Sequence, residues 1–229
     1  MNKQAVILLS GGIDSATTAA IAIDRGFELS ALTFRYSQRH LVEVASAARL
    51  AEFFLIRRHV TIDIPAGIFR SSLTDTSIEV RKNADPEAGG EIPDTYVPAR
   101  NILFLSYGLA FAESIDASRI FIGATAVDYS GYPDCRPEFF EAFQAMADRG
   151  TKAGVSGAGI VIETPVIAMG KAEIIRTGAR LGVDYAITHS CYDPGPGGLA
   201  CGACDSCIIR KNGFRDAGVP DPTRYRDRR

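Results

Sequence analysis

Ala5-Val6-Ile7-Leu8-Leu9-Ser10-Gly11-Gly12-Ile13-Asp14-Ser15 is the stretch that decides the fold. Its unbroken apolar run reads as a strand covered on both faces, as in a parallel sheet. The strand ends at two glycines, which let the backbone approach a polyphosphate and aim N–H groups at it. Ser10 and Ser15 add hydroxyl donors, and a helix beginning near Asp14 brings its positive dipole end to the same place. Asp14 is a poor direct neighbour for phosphate but suits a Mg²⁺ ion bridging phosphate oxygens. A tight strand-to-helix turn would account for Gly-Gly alone, but not for both serines and the aspartate. The chain has no Gly-x-x-x-x-Gly-Lys-Ser/Thr, so this is not the common nucleoside-triphosphatase loop. It has no Gly-x-Gly-x-x-Gly either, which disfavours a dinucleotide.

Outward from this loop the alternation repeats. Residues 14–24 read as a helix stopped by Arg25-Gly26, Leu29 to Phe34 as a strand, 38–54 as a helix and Arg58 to Ile62 as a strand. That rhythm predicts an α/β fold with a doubly wound parallel sheet. Residues 71–97 break it, and the polar run Asn83 to Gly90 suggests a mobile flap over the site. Pro98 reads as opening a helix to about Ile115. Ser118 to Ile122 is the next strand, ending at Gly123-Ala124. A helix over Pro137 to Ala147, a flexible stretch from Gly150 to Gly159, and Val161 to Pro165 leading into a helix at 171–181 complete the pass. Residues 1–188 form the nucleotide-binding unit, and 189–229 a small extension of the same compact body.

The 229 residues carry a net charge of -2, which argues against a protein that wraps nucleic acid in a broad basic field. The basic tail Arg224, Arg226, Arg228, Arg229 reads as a solvated, frayed terminus. No stretch approaches the roughly 20 apolar residues of a membrane helix, and no signal peptide is recognisable, so the expected compartment is the cytoplasm. Of five cysteines, four fall in Cys191-x9-Cys201-x2-Cys204-x2-Cys207. Outside a secreted context such a cluster reads as a metal site rather than a disulfide framework. Four thiolates close a tetrahedral Zn²⁺ site with no open position, hence a structural one. An iron–sulfur cluster takes the same ligands, and a redox dithiol needs only two. The metal is expected to pin Cys191, after a last strand, to a C-terminal helix carrying Cys204 and Cys207.

The fifth cysteine, Cys135, stands in Tyr129-Ser130-Gly131-Tyr132-Pro133-Asp134-Cys135-Arg136. Read alone it is a small buried residue or a nucleophile, and burial is commoner. Its neighbours suggest a pocket. The tyrosines stack on a planar heterocycle, Asp134 accepts from an amino or ring N–H edge, and Arg136 pairs with a carboxylate. Tyr96-Val97-Pro98-Ala99-Arg100-Asn101 places a second arginine at a helix start.

The loop Ser10 to Ser15 resembles that of the PP-loop ATPases. The resemblance implies an adenine-nucleotide-hydrolase-like, Rossmann-like fold that splits ATP to AMP and pyrophosphate while adenylating a carboxylate or carbonyl oxygen. Lys171, which by itself would pass for a solvated helix residue, matches a family position that contacts phosphate. A closer resemblance rests on Tyr36-x-Gln38-Arg39-His40, Val97-Pro98-x-Arg100-Asn101, Gly131 to Arg136, and Ser190-Cys191-Tyr192 with Cys201-Gly202-x-Cys204-x-x-Cys207. These resemble the 7-cyano-7-deazaguanine (preQ0) synthase family over residues 3 to 215. Ser37 stands where that family usually has glycine, and Arg35 where an acidic residue is common.

The resemblance implies that ATP adenylates 7-carboxy-7-deazaguanine, ammonia displaces AMP to give the amide, and a second ATP drives amide to nitrile. It implies catalytic roles for Asp14, Lys171 and Arg100, and substrate contacts from Arg100, Tyr132, Asp134, Cys135 and Arg136. It also implies a homodimer. The chain leaves no room for a glutaminase domain, so free ammonia is the expected nitrogen source, and no direct nucleic-acid contact is expected. The alternative is a tRNA-thiolating PP-loop enzyme, which needs a basic surface and a sulfur-carrying cysteine.

Overall fold

The computed structural model describes residues 3–83, 92–127 and 132–226. The five strands are β1 (Gln4–Leu8), β2 (Glu28–Arg35), β3 (Arg58–Asp63), β4 (Arg119–Ile122) and β5 (Val161–Glu163). They form one parallel sheet in the order β3-β2-β1-β4-β5. Central β1 is buried on both faces because its side chains alternate across the pleat. Ala5 and Ile7 point into the layer built by α1 (Ile13–Asp24), α2 (Val42–Phe53), α6 (Lys171–Arg180) and α7 (Asp205–Ala217). Val6 and Leu8 point into the other layer, under α3 (Arg100–Ser114) and α4 (Pro137–Gly150). That two-sided demand is why the strand reads as a continuous apolar run.

From β1 the chain steps outward through β2 and β3, then returns to the far side of β1 for β4 and β5. The winding therefore reverses between β1 and β4. In open α/β sheets, ligands bind outside the carboxyl ends of the strands at this point. No helix among the described residues is long and apolar enough to cross a membrane.

Several boundaries differ from the sequence expectation. The helix expected from residue 38 begins at Val42. Gln38 instead accepts from the Tyr36 N–H and donates to the Phe34 carbonyl, building a tight turn in which Ser37 takes φ +64°. The helix at Pro98 starts at Arg100, because Ala99 is left-handed at φ +54°. The stretch 150–159 contains a one-turn helix, α5 (Lys152–Val155), capped by Thr151 Oγ1, which accepts from the Gly154 N–H. The last strand, β5, ends well before Cys191, and the segment leading to that cysteine is a 3₁₀ turn, Tyr185–Ile187, capped by Asp184.

Of the expected flap, residues 84–90 lie outside the described residues. The segment leading to it is held down: the Arg39 guanidinium donates to the Ser72 and Ile78 carbonyls, and Lys82 forms a bridge with Cys204. The tail is docked as far as Arg226, contrary to the frayed expectation. Ala200 exchanges backbone hydrogen bonds with Arg224 and Arg226, and Arg226 pairs with Asp193.

Candidate active site

The reversal point holds a cavity of about 290 Å³. Its floor is the turn after β1. Gly11 sits at φ +90°, and a Cβ there would lie 2.2 Å from the Glu43 carbonyl, so glycine is required both by the dihedral and by the first turn of α2. At the opposite wall β4 ends at Gly123, where a Cβ would come within 2.7 Å of the Asp14 backbone. These two close approaches bring β1, α1, α2 and β4 together around one small volume. Ser15 Oγ lies 3.0 Å from Ser10 Oγ and donates to the Gly12 carbonyl at 3.1 Å, which fixes the loop. No side chain caps α1, whose N-cap residue is Gly12. The first-turn N–H groups of the helix thus have no side-chain acceptor.

Lys171 opens α6 and reaches across the cavity to Asp14, with Nζ 2.7 and 2.9 Å from the two carboxylate oxygens. Its aliphatic stem lies on α7 at Gly213, where a Cβ would meet Lys171 Cγ at 2.4 Å. Arg100, at the start of α3, donates to Tyr36 Oη at 3.3 Å and has no carboxylate within ion-pair distance among the described residues. A guanidinium that lines a cavity suits a carboxylate or phosphate. Burial pushes the Tyr36 phenol up to about 12 and raises the Glu43 carboxyl above its ordinary range. Burial likewise pushes the Cys135 thiol up to about 11, with Asp134 adding to the shift. The Cys135 thiol is therefore protonated at neutral pH and lies 3.2 Å from Asn101 Nδ2.

Among the residues singled out from the sequence, Ser10, Gly12, Asp14, Ser15, Arg100, Tyr132, Cys135 and Lys171 line this one cavity. Gly11 packs behind the loop. Asp134 and Arg136 do not line it. Asp134 is buried and its Oδ2 accepts from the Asn101 N–H at 2.9 Å, which caps α3. Arg136 is exposed and is the N-cap residue of α4. Tyr129 to Gly131 lie outside the described residues. Sequence reasoning missed Glu43, His189 and Arg210, which also line the cavity. The available signals were weak: a glutamate five residues after Gln38, and an arginine one turn after Cys207.

The four clustered cysteines converge, with all four Sγ atoms within 4.8 Å of one another and Cys201 to Cys207 at 4.0 Å. Around a tetrahedral zinc with bonds of about 2.3 Å, sulfurs stand about 3.8 Å apart, so the set fits a single ion. A multi-iron cluster divides its cysteines among two or four irons and spreads the sulfurs further. Backbone N–H groups of Asp193 and Cys201 donate to Cys191 Sγ at 3.3 and 3.1 Å, the support expected for thiolates. The cluster is joined to the cavity. The His189 N–H donates to the Gly11 carbonyl at 2.9 Å, and Arg210 donates to Thr188 Oγ1, Ser190 Oγ and the Tyr185 carbonyl.

Residues 4–218 match the family profile described as queuosine biosynthesis protein QueC. The 7-cyano-7-deazaguanine synthase of Desulfatibacillum aliphaticivorans is 56% identical over 225 residues, covering 97% of each chain. That of Frankia casuarinae is 57% identical over 222 residues, 95% of this chain and 92% of the relative. Among solved structures, a 4-thiouridine synthetase in complex with RNA and ATP is alike in fold, with a TM-score of 0.51 at 17% identity over 97% of this chain and 47% of that one.

Proposed function

The chain belongs to the QueC family, and on that premise we propose that it converts 7-carboxy-7-deazaguanine and ammonia to 7-cyano-7-deazaguanine. ATP is cleaved to AMP and pyrophosphate in each of two activations, which makes the enzyme a carbon–nitrogen ligase ending in a nitrile. The observation that carries this reading is the convergence of the phosphate loop, the Asp14–Lys171 pair and Arg100 on one cavity at the sheet's reversal point.

Carboxylate oxygen is a poor leaving group, and transfer to AMP makes it a good one. Loop N–H groups and Ser10 and Ser15 hold the phosphates at the positive end of α1. Lys171 neutralises charge on the departing pyrophosphate, and Arg100 orients the substrate carboxylate for attack on the α-phosphorus. Arg100, inside the cavity, takes the carboxylate contact in place of exposed Arg136. Tyr132 and Cys135 form the wall for the heterocycle. Asp14, whose carboxylate is 26% exposed beside the phosphate loop, is the ligand for Mg²⁺. Bound there, magnesium would screen phosphate charge. Cys191, Cys201, Cys204 and Cys207 hold a structural Zn²⁺. The reading includes a homodimer, as the family resemblance implies, working in the cytoplasm. A tRNA-thiolating reaction needs a reactive thiol in the cavity, and a thiol pushed up to about 11 weighs against Cys135 in that role.

The test is mass spectrometry of products after incubation with ATP, Mg²⁺, ammonium and 7-carboxy-7-deazaguanine. Nitrile and AMP are expected. No conversion by folded, metal-loaded protein would overturn the reading.

A further inference from the structure

The proposed reaction leaves a proton balance that none of the groups assigned so far closes. Nitrogen enters as ammonia with three hydrogens and leaves in a nitrile with none. In the first stage the C–N bond forms, the C–O bond to AMP breaks, and one proton leaves the nitrogen. In the second stage the amide oxygen takes the adenylyl group of another ATP. The C–O bond to AMP then breaks as the nitrile forms, and two more protons leave.

An acceptor is needed beside the activated carbon. Asp14 is held by both oxygens on Lys171. Tyr36 and Cys135 are pushed to about 12 and about 11 and keep their protons. His189 has its Nε2 at 3.1 Å from the Cys191 carbonyl.

Glu43 is differently placed. Its backbone carbonyl packs on Gly11 of the phosphate loop, and its residue lines the same cavity as Arg100. One carboxylate oxygen accepts from Gln38 Nε2 at 3.0 Å; the other accepts no hydrogen bond among the described residues. Gln38 is itself fixed by the Phe34 carbonyl and the Tyr36 N–H, so it offers that carboxylate oxygen a fixed donor. The groups facing Glu43 are Tyr36 at the end of β2, Gln38 in the following turn and Arg100 of α3; Arg100 is the charged group among them.

We propose that Glu43 is the general base of the reaction, taking protons from the substrate nitrogen in both stages. This rests on the functional reading above. Burial raises its carboxyl above the ordinary range, against the opposing pull of Arg100, which moves it towards the pH at which a base is most effective.

The experiment separates adenylation, which needs no base, from nitrogen transfer, which does. ATP–pyrophosphate exchange dependent on 7-carboxy-7-deazaguanine is measured alongside amide and nitrile formation, in wild type and in Glu43→Gln. Wild-type nitrile formation checks the functional reading separately. The variant is expected to keep exchange within about threefold while amide formation falls about 100-fold or more. The rise of rate with pH that wild type shows as Glu43 deprotonates should disappear. In Glu43→Ala, added formate should restore part of the amide formation. Equal losses in exchange and amide formation would make Glu43 a binding or structural residue and overturn the proposal. So would full nitrile formation by Glu43→Gln.

Discussion

Replacing Gly213 with alanine tests whether α7 sets the position of Lys171. In an unobstructed helix interior the change should stabilise the protein by about 1 kcal/mol, because glycine carries that penalty relative to alanine. Here the added methyl would lie 2.4 Å from Lys171 Cγ and 3.0 Å from both Lys171 Cβ and Ile175 Cδ1. Those are the near end of the lysine and a fully buried isoleucine, so neither moves without cost. Overpacking of this kind costs about 1–3 kcal/mol, which cancels or exceeds the helix gain.

The expected stability change is therefore a loss of about 0–2 kcal/mol. The larger effect should be on activity. If the stem rotates away, Nζ leaves the cavity, and a charge-assisted contact to phosphate worth about 1.5–3 kcal/mol is lost. That corresponds to a fall in kcat/KM for ATP of about 10- to 100-fold. Pyrophosphate release gives the rate and denaturant midpoints give the stability, with Lys171→Met marking the loss when the amine is absent. A Gly213→Ala protein that is more stable by the full helix increment and retains wild-type kcat/KM would refute the packing argument.

Cys204→Ser should lose bound zinc, measured by elemental analysis, together with several kcal/mol of folding stability, as expected where metal binding and folding are linked. Hydrogen exchange should then accelerate at Asn83, whose N–H donates to the Ala203 carbonyl; an equally stable metal-free variant would contradict the structural role. At pH 8 a thiol with a pKa of about 11 is about one-thousandth thiolate, so Cys135 should resist iodoacetamide and react tenfold faster per pH unit above that. Rapid modification at pH 7, mapped by peptide mass, would contradict the burial argument.

The parallel sheet and the tight glycine turn after β1 were legible because both depend on local signals: an unbroken apolar run, and glycines at a turn that admits nothing larger. The convergence of the four cysteines was legible because ligand spacing is itself a local property. What failed locally was decided by tertiary contacts. The expected helix at 38–54 has suitable residues from its first position, yet the Gln38 amide bonds the Phe34 carbonyl and the Tyr36 N–H and delays the start to Val42. The Ser37 departure from the family pattern falls in the same turn, where the serine adopts a left-handed conformation at φ +64° that glycine takes without strain. Asp134, Cys135 and Arg136 are consecutive, but a 3₁₀ turn sends them in different directions: one caps α3, one lines the cavity and one faces solvent. Glu43 and Arg210 gain their places only once α2 and α7 are docked, and no spacing rule connects either to the phosphate loop.

The C-terminal extension is more than a clamp on a finished enzyme. Cys204 is the N-cap residue of α7 and Cys207 lies in its first turn, so a metal held by the four cysteines would fix where that helix begins. One turn further, Arg210, only 2% exposed, is bonded to the Tyr185 carbonyl, Thr188 and Ser190. Those bonds hold the segment whose His189 N–H meets the Gly11 carbonyl. A turn beyond that, Gly213 makes the bed for Lys171. Three successive contacts along one helix thus support the two halves of the proposed phosphate site, the loop after β1 and the lysine of α6. A four-sulfur metal has no open coordination position with which to meet a substrate. Under the proposed function it would reach the chemistry by the placement of α7, so its loss should act on ATP binding and on turnover together.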